Sequence, residues 1–199
     1  MKKTIMSLAV VSALVSGSAF AAAPQNDSSK ATINFNGKVT SSLCQVRTDN
    51  LSQDISLGEV TATVLKDSGK GKAQSFQVGL TNCDTTTSKI SYVLTDGNYT
   101  PSLDSNNAAV KLSYLQPKSG DNSADGVGVF IETSTGTAIA PGSTTNLDVA
   151  KDGKSQALSD QTISLRAYIG TKDGNPDANQ SVKAGTVEAT GILTIYAGV

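Results

Sequence analysis

The stretch Lys30–Cys44, KATINFNGKVTSSLC, sets the terms on which this chain can fold, because it reads as a strand with nothing ahead of it to pair with. Ala31, Ile33, Phe35, Gly37 and Val39 recur at every second position, with Thr32, Asn34, Asn36 and Lys38 between them. That alternation is the pattern of a half-buried strand. Residues Ala22 to Ser29 are small or polar and contain no turn leading back to an earlier strand. An apolar strand at a free end has open main-chain groups and one greasy face, and it must find another sheet to satisfy both.

Upstream, Lys2 and Lys3 precede an apolar run from Ile5 to Val15 and then Ala19-Phe20-Ala21. This reads as an export signal, residues 1–21, cleaved after Ala21, with the apolar run too short to span a bilayer. Removal leaves about 180 residues, enough for one domain with a real core. Two cysteines, Cys44 and Cys83, in an exported chain predict a disulfide.

The remainder is a succession of short Val/Ile/Leu groups separated by Gly, Asn, Asp and Pro, with no sustained helical period. Strands are predicted at Ile55–Val60, Gln74–Thr81, Ile90–Leu94, Val110–Leu115, Gly126–Glu132, Ile163–Ile169 and within Val182–Val199, with a short piece around Ile139. Residues 66–73 and 170–180 read as loops. In the last stretch Val187, Ala189, Gly191, Leu193, Ile195 and Ala197 share one face, so the chain closes on a second long strand. Eight or nine short strands without a sizeable helix predict an all-β sandwich with Greek-key connections.

Sixteen basic against seventeen acidic side chains leave a formal net charge of −1, which disfavours a nucleic-acid binder held by phosphate contacts. Histidine is absent, and with both cysteines spent on a disulfide the Ser-His-Asp and Cys-His triads are excluded. A Ser-Lys or paired-carboxylate hydrolase stays open as an alternative, but no S-x-x-K lies in a persuasive context, so no catalytic residue, metal ligand set or cofactor is expected. Asp121, Ser123, Asp125, Gly126 and Glu132 do fall at positions 1, 3, 5, 6 and 12 of a calcium-loop pattern. Their flanks contradict it: Pro117 and Gly120 stand where a helix should enter, and Val127 to Ile131 alternates as a strand.

In order along the chain, Phe35-Asn36-Gly37-Lys38-Val39 leading to Cys44, Leu57-Gly58-Glu59-Val60, Phe76 to Asp84 with Cys83, Gly126-Val127-Gly128-Val129 with Thr135-Gly136, and Leu165-Arg166-Ala167-Tyr168 resemble the major subunits of chaperone-usher fimbriae, the type 1 pilin family. The resemblance implies an immunoglobulin-like sandwich that lacks its last strand and is completed by the N-terminal extension of a neighbour. It implies a donor extension over residues 22–37, carrying Ala31, Ile33, Phe35 and Gly37, ahead of a pilin domain at 38–199. It implies that the C-terminal strand, with Val187, Ala189, Gly191, Leu193, Ile195 and Tyr196, faces the groove and a periplasmic chaperone. The partners implied are other pilin subunits, that chaperone and an outer-membrane usher, without nucleic acid or membrane insertion, and the destination is a surface fimbrium reached through the periplasm. This sequence departs from the family pattern in having Ala31 where Gly is usual and in placing its last Tyr, Tyr196, fourth from the end. Two alternatives are a minor, adaptor or tip subunit that binds glycan directly, and a self-contained carbohydrate-binding sandwich. Five Tyr, four Phe and no Trp make a sugar-stacking platform the weaker of them.

Overall fold

The computed structural model describes residues 33, 44–103, 105–106, 108–173, 176 and 182–199. The chain divides into two compact units, Met1–Val39 and Thr40–Val199. Ile33 is the described residue of the first and is exposed. The second unit carries all of the described strands.

Those strands are β1 (Gln45–Val46), β2 (Gln74–Thr81), β3 (Lys89–Asp96), β4 (Val127–Thr133), β5 (Ala138–Ile139), β6 (Thr144–Leu147), β7 (Gln161–Thr171) and β8 (Gly191–Gly198). They form two antiparallel sheets, ordered β1-β2-β7-β4-β5 and β6-β3-β8. The period-two faces read from the sequence are the ones that meet between the sheets. Ile163, Leu165 and Ala167 of β7, Val129 and Ile131 of β4 and Leu80 of β2 pack against Ile90, Tyr92 and Leu94 of β3. Each large apolar side chain buried there contributes about 1.5–3 kcal/mol, which holds the two layers together.

Cys44 and Cys83 are joined in a disulfide and both are buried. Because β1 pairs Gln45 with Thr81, the bridge sits just beyond that pairing and locks the start of the domain onto the end of β2. Closing a loop of 39 residues is worth about 4 kcal/mol on the chain-entropy estimate.

Three predicted elements differ. Ile55–Val60 forms no strand: Gly58 takes a left-handed φ of 71°, which ends the alternation. The chain then turns into a helix, α1 (Ala62–Ser68), whose last turn overlaps the loop expected at 66–73. Thr61 caps α1 by accepting from the Val64 amide, and Gly69 ends it with φ 74° and an amide bond to Leu65 O. Val110–Leu115 makes a single bridge rather than a strand. Leu115 exchanges both main-chain bonds with Val129, and Pro117, having no N–H, prevents the row from continuing. The last strand starts only at Gly191, because residues 183–188 are bonded instead to the loop at 118–125. Gly185 permits that approach, since a Cβ there would lie 2.5 Å from the Ala124 nitrogen.

Candidate functional site

Between β8 and the segment 50–62 the two layers part, leaving a cleft of about 1610 Å³. Its floor is the inner face of the larger sheet, with Phe76 and Val78 from β2, Val129 and Ile131 from β4, and Leu165, Ala167 and Ile169 from β7. One wall is Leu57 and Val60, closed at the end by Leu65 of α1, which packs with Val127 and Ile169. The opposite wall is Val187, Ala189, Gly191 and Leu193. Asp54, Glu59, Lys183 and Glu188 also border the cleft, with their side chains exposed to solvent. Such a site favours an apolar occupant and has its charges at the rim.

Strand β8 gives the cleft its chemistry. Its only strand partner among the described residues is β3. The Gly97 amide donates to Thr190 O, and in an antiparallel ladder the main-chain groups alternate in direction from that point. Ile192, Thr194 and Tyr196 therefore bond toward β3, and the N–H and C=O groups of Gly191, Leu193, Ile195 and Ala197 point the other way, to an edge that no described strand occupies. An unpaired edge over an apolar trough is a template for one more strand.

The C-terminal residues expected at the groove separate by face. Val187, Ala189, Leu193 and Ile195 are half-buried and pack against the core. Gly191 belongs with them, since a Cβ there would stand 3.0 Å from Leu94 Cδ1 and 3.1 Å from Leu115 Cδ1. Tyr196, expected alongside them, turns to the opposite face and is 55% exposed, as the period of two requires. Ala31, Phe35 and Gly37 lie outside the described residues, and Ile33 is 68% exposed. Leu57, Val60 and Leu94 are cleft residues that the strand pattern alone did not single out. The alternation of Ile55 and Leu57 signals an apolar face without saying which cavity it borders.

The calcium-loop positions are engaged elsewhere. Asp125 accepts from Lys172 Nζ at 2.9 Å and from the Gly126 amide, which hold its carboxyl below the usual range. Glu132 pairs with Arg166 at 2.7 Å on the outer face of the sheet. Among the described residues no group of three acidic or cysteine side chains could hold a metal ion, and no helix is long and apolar enough to cross a membrane.

The two sheets and the open edge define an all-β, immunoglobulin-like sandwich that lacks a strand beside β8 among its described residues. The family described as Fimbrial protein matches residues 33–197, and the chain belongs to it. The chain is similar to Fimbrial protein 987P of Escherichia coli, 49% identical over 195 residues that span 98% of this chain and 96% of that protein. It is also similar to the probable major fimbrial subunit LpfA of Escherichia coli O157:H7, at 30% identity over 88% of this chain and 92% of that one. Among solved structures the fold resembles a chain of a chaperone-usher pilus, with a TM-score of 0.59, 17% identity, and coverage of 88% of this chain and all of that one. The P pilus rod subunit PapA gives a TM-score of 0.54 at 14% identity, covering 78% of this chain and 99% of that one.

Proposed function

We propose that this protein is a structural subunit of a chaperone-usher fimbria that polymerises head to tail, the N-terminal extension of one copy entering the cleft of the next. The observation that carries this reading is the unpaired edge of β8 over the apolar cleft. The opening strand of the chain has the matching need: a period-two apolar face and no partner ahead of it. Ala31, Ile33 and Phe35 are the side chains that fill the neighbour's cleft, with Gly37 near the end of the inserted segment. Burying Ile33 and Phe35 contributes about 1.5–3 kcal/mol each, beyond the main-chain bonds made with Gly191, Leu193, Ile195 and Ala197. Before assembly the same edge is held by a periplasmic chaperone, and an outer-membrane usher delivers the subunit after its signal at 1–21 is removed. The fibre then stands on the cell surface, where it supports adhesion.

Deletion of Ala22 to Gly37 tests this. The trimmed chain, produced with its chaperone, is expected to remain chaperone-bound, to add to no fibre, and to become stable when a peptide of the deleted sequence is supplied. A trimmed chain that is a stable monomer on its own and ignores the peptide would overturn the reading.

A further inference from the structure

The outer faces of the two sheets differ in charge. On the larger sheet β7 and β4 present Arg166 and Glu132, paired at 2.7 Å, and Lys70 lies 5.9 Å from the ring of Tyr168. On the smaller sheet the residues that alternate with the core positions are Val93 of β3, Thr144 and Asn146 of β6, and Ile192, Thr194 and Tyr196 of β8. Lys89, at the end of β3, is the one charged strand residue that the same alternation adds to this face. Val93 stands opposite Thr144 on one side and opposite Thr194 on the other, and Ile192 and Tyr196 flank Thr194 along β8. They make an apolar band across an uncharged sheet face, on which Ile192 is 54% and Tyr196 55% exposed. Contiguous apolar surface left in water on a rigid sheet marks a contact with another macromolecule.

We infer that this outer face is a contact surface between fibres, and that what covers it is the same face of a second copy of this chain belonging to another fibre. The inference rests on the strand-addition reading above. Charge selects the partner face. Pairing with the outer face of the larger sheet would bury Arg166, Glu132 and Lys70, whereas the uncharged face paired with itself leaves only Lys89, at its margin. Symmetry selects the fibre. Copies within one head-to-tail fibre are related by a repeated screw operation, and two copies meet through the same patch only across a twofold axis, which relates copies of different fibres. Size sets the strength. With strands about 4.8 Å apart rising about 3.4 Å per residue, the face covers roughly 300 Å² per copy, so one pairing falls well short of the roughly 1,200 Å² in total that a stable interface buries. Single subunits therefore stay apart, while two fibres are held by many such contacts, each brought close by the one before it. The strand added beside β8 would show Thr32, Asn34 and Asn36 to this side, so assembly widens the face without charging it.

The test uses fibres of the full chain assembled from its chaperone complex. It compares the parent with Thr194→Lys and Asn146→Lys on this face and with Gln77→Lys on the outer face of the other sheet. All three positions are exposed, so a lysine at each is expected to leave the subunit folded. Electron microscopy and low-speed sedimentation read the pairing of fibres. Parent and Gln77→Lys fibres are expected to lie side by side and to pellet. Thr194→Lys and Asn146→Lys fibres should reach parent length, stay single and remain in the supernatant, and Thr194→Val, which adds no charge, should bundle like the parent. Raising the salt from about 0.1 M to about 1 M, which shortens the screening length from about 10 Å to about 3 Å, should leave parent bundles intact. Parent fibres that stay single, or Thr194→Lys and Asn146→Lys fibres that bundle as well as the parent, would overturn the inference alone. So would a Gln77→Lys chain that loses pairing too, since added charge anywhere would then suffice. Lysine variants that alter the coil of a single fibre would place the contact within one fibre and overturn it as well. Absence of any fibre from the parent chain would overturn the strand-addition reading instead.

Discussion

Gly128 and Gly170 face each other in the β4–β7 pair, and each is covered on the outer face of the sheet by an aromatic ring. Tyr114 lies over Gly128 and Phe130 beside Gly170. The rings continue into a row, with Tyr114 and Phe130 centroids 5.5 Å apart, Phe130 and Tyr168 stacked at 5.4 Å, and Lys70 5.9 Å from the Tyr168 ring. The glycines are there because the rings need the space a Cβ would take. Gly128→Ala is therefore expected to destabilise the domain by about 1–3 kcal/mol, the usual cost of overpacking, read as a lower urea midpoint with an unchanged slope. Burial raises the phenol pKa of Tyr114, where Lys172 opposes the shift and Asp173 and Asp96 add to it. It also raises that of Tyr168, where Glu132 adds to it, and of Tyr92 in the core. A folded pKa above the unfolded one makes a contribution that is whole below the unfolded pKa of about 10 and is lost as pH rises through the folded value. Unfolding midpoints should hold up to about pH 9 and fall beyond it, and Tyr92→Phe should flatten that fall. A profile as steep in Tyr92→Phe as in the parent chain would assign the alkaline loss to other groups.

At the scale of a strand, β8 does two jobs with alternate residues, and proline can separate them. The amide of Thr194 belongs to the β3 ladder and that of Leu193 to the open edge. Leu193→Pro is expected to keep every β3 ladder bond, to cost the free subunit the packing of its half-buried side chain, and to block strand addition. Thr194→Pro should lower the stability of the subunit itself by at least about 1 kcal/mol, the net worth of a ladder bond. Thermal unfolding and fibre yield, measured on both, check the contrast; equal fibre yields from the two would refute the assigned edge. Much of this strand was legible in the sequence, because Gly191, Leu193, Ile195 and Ala197 alternate without interruption and the period alone places Tyr196 on the other face. The faces of β2, β4 and β7 were legible for the same reason. Less legible were elements decided by contacts far away in sequence. Val110–Leu115 has a strand's pattern, but only Leu115 reaches Val129, and Thr61 with Gly69 caps a helix too short to show a period. The cleft itself was not readable from composition, since Leu57 and Val60 become its wall only when β2 and β8 stand on either side.

For the whole molecule the proposed joint has one decisive property: its two halves lie on different parts of one chain. On the proposed reading, Ile33 and Phe35 near one end enter a cleft bounded by residues near the other, which would make contact between copies heterologous with no built-in stop. That geometry predicts how defects combine. Phe35→Asp spoils the donor and leaves the cleft of the same copy intact, and Leu193→Pro spoils the acceptor edge and leaves the donor intact. Either variant alone should form no fibre, because every joint needs both halves. Mixed in equal amounts, the Leu193→Pro copy can donate to the Phe35→Asp copy once, and the product has a spoiled donor at one end and a spoiled edge at the other. Sedimentation of the mixture should therefore show a discrete dimer with nothing larger. A self-complementary joint, using the same patch on both copies, would carry each defect symmetrically and would give no such pairing. A mixture that stays monomeric or that grows into long fibres would show that the two segments do not form the joint between copies.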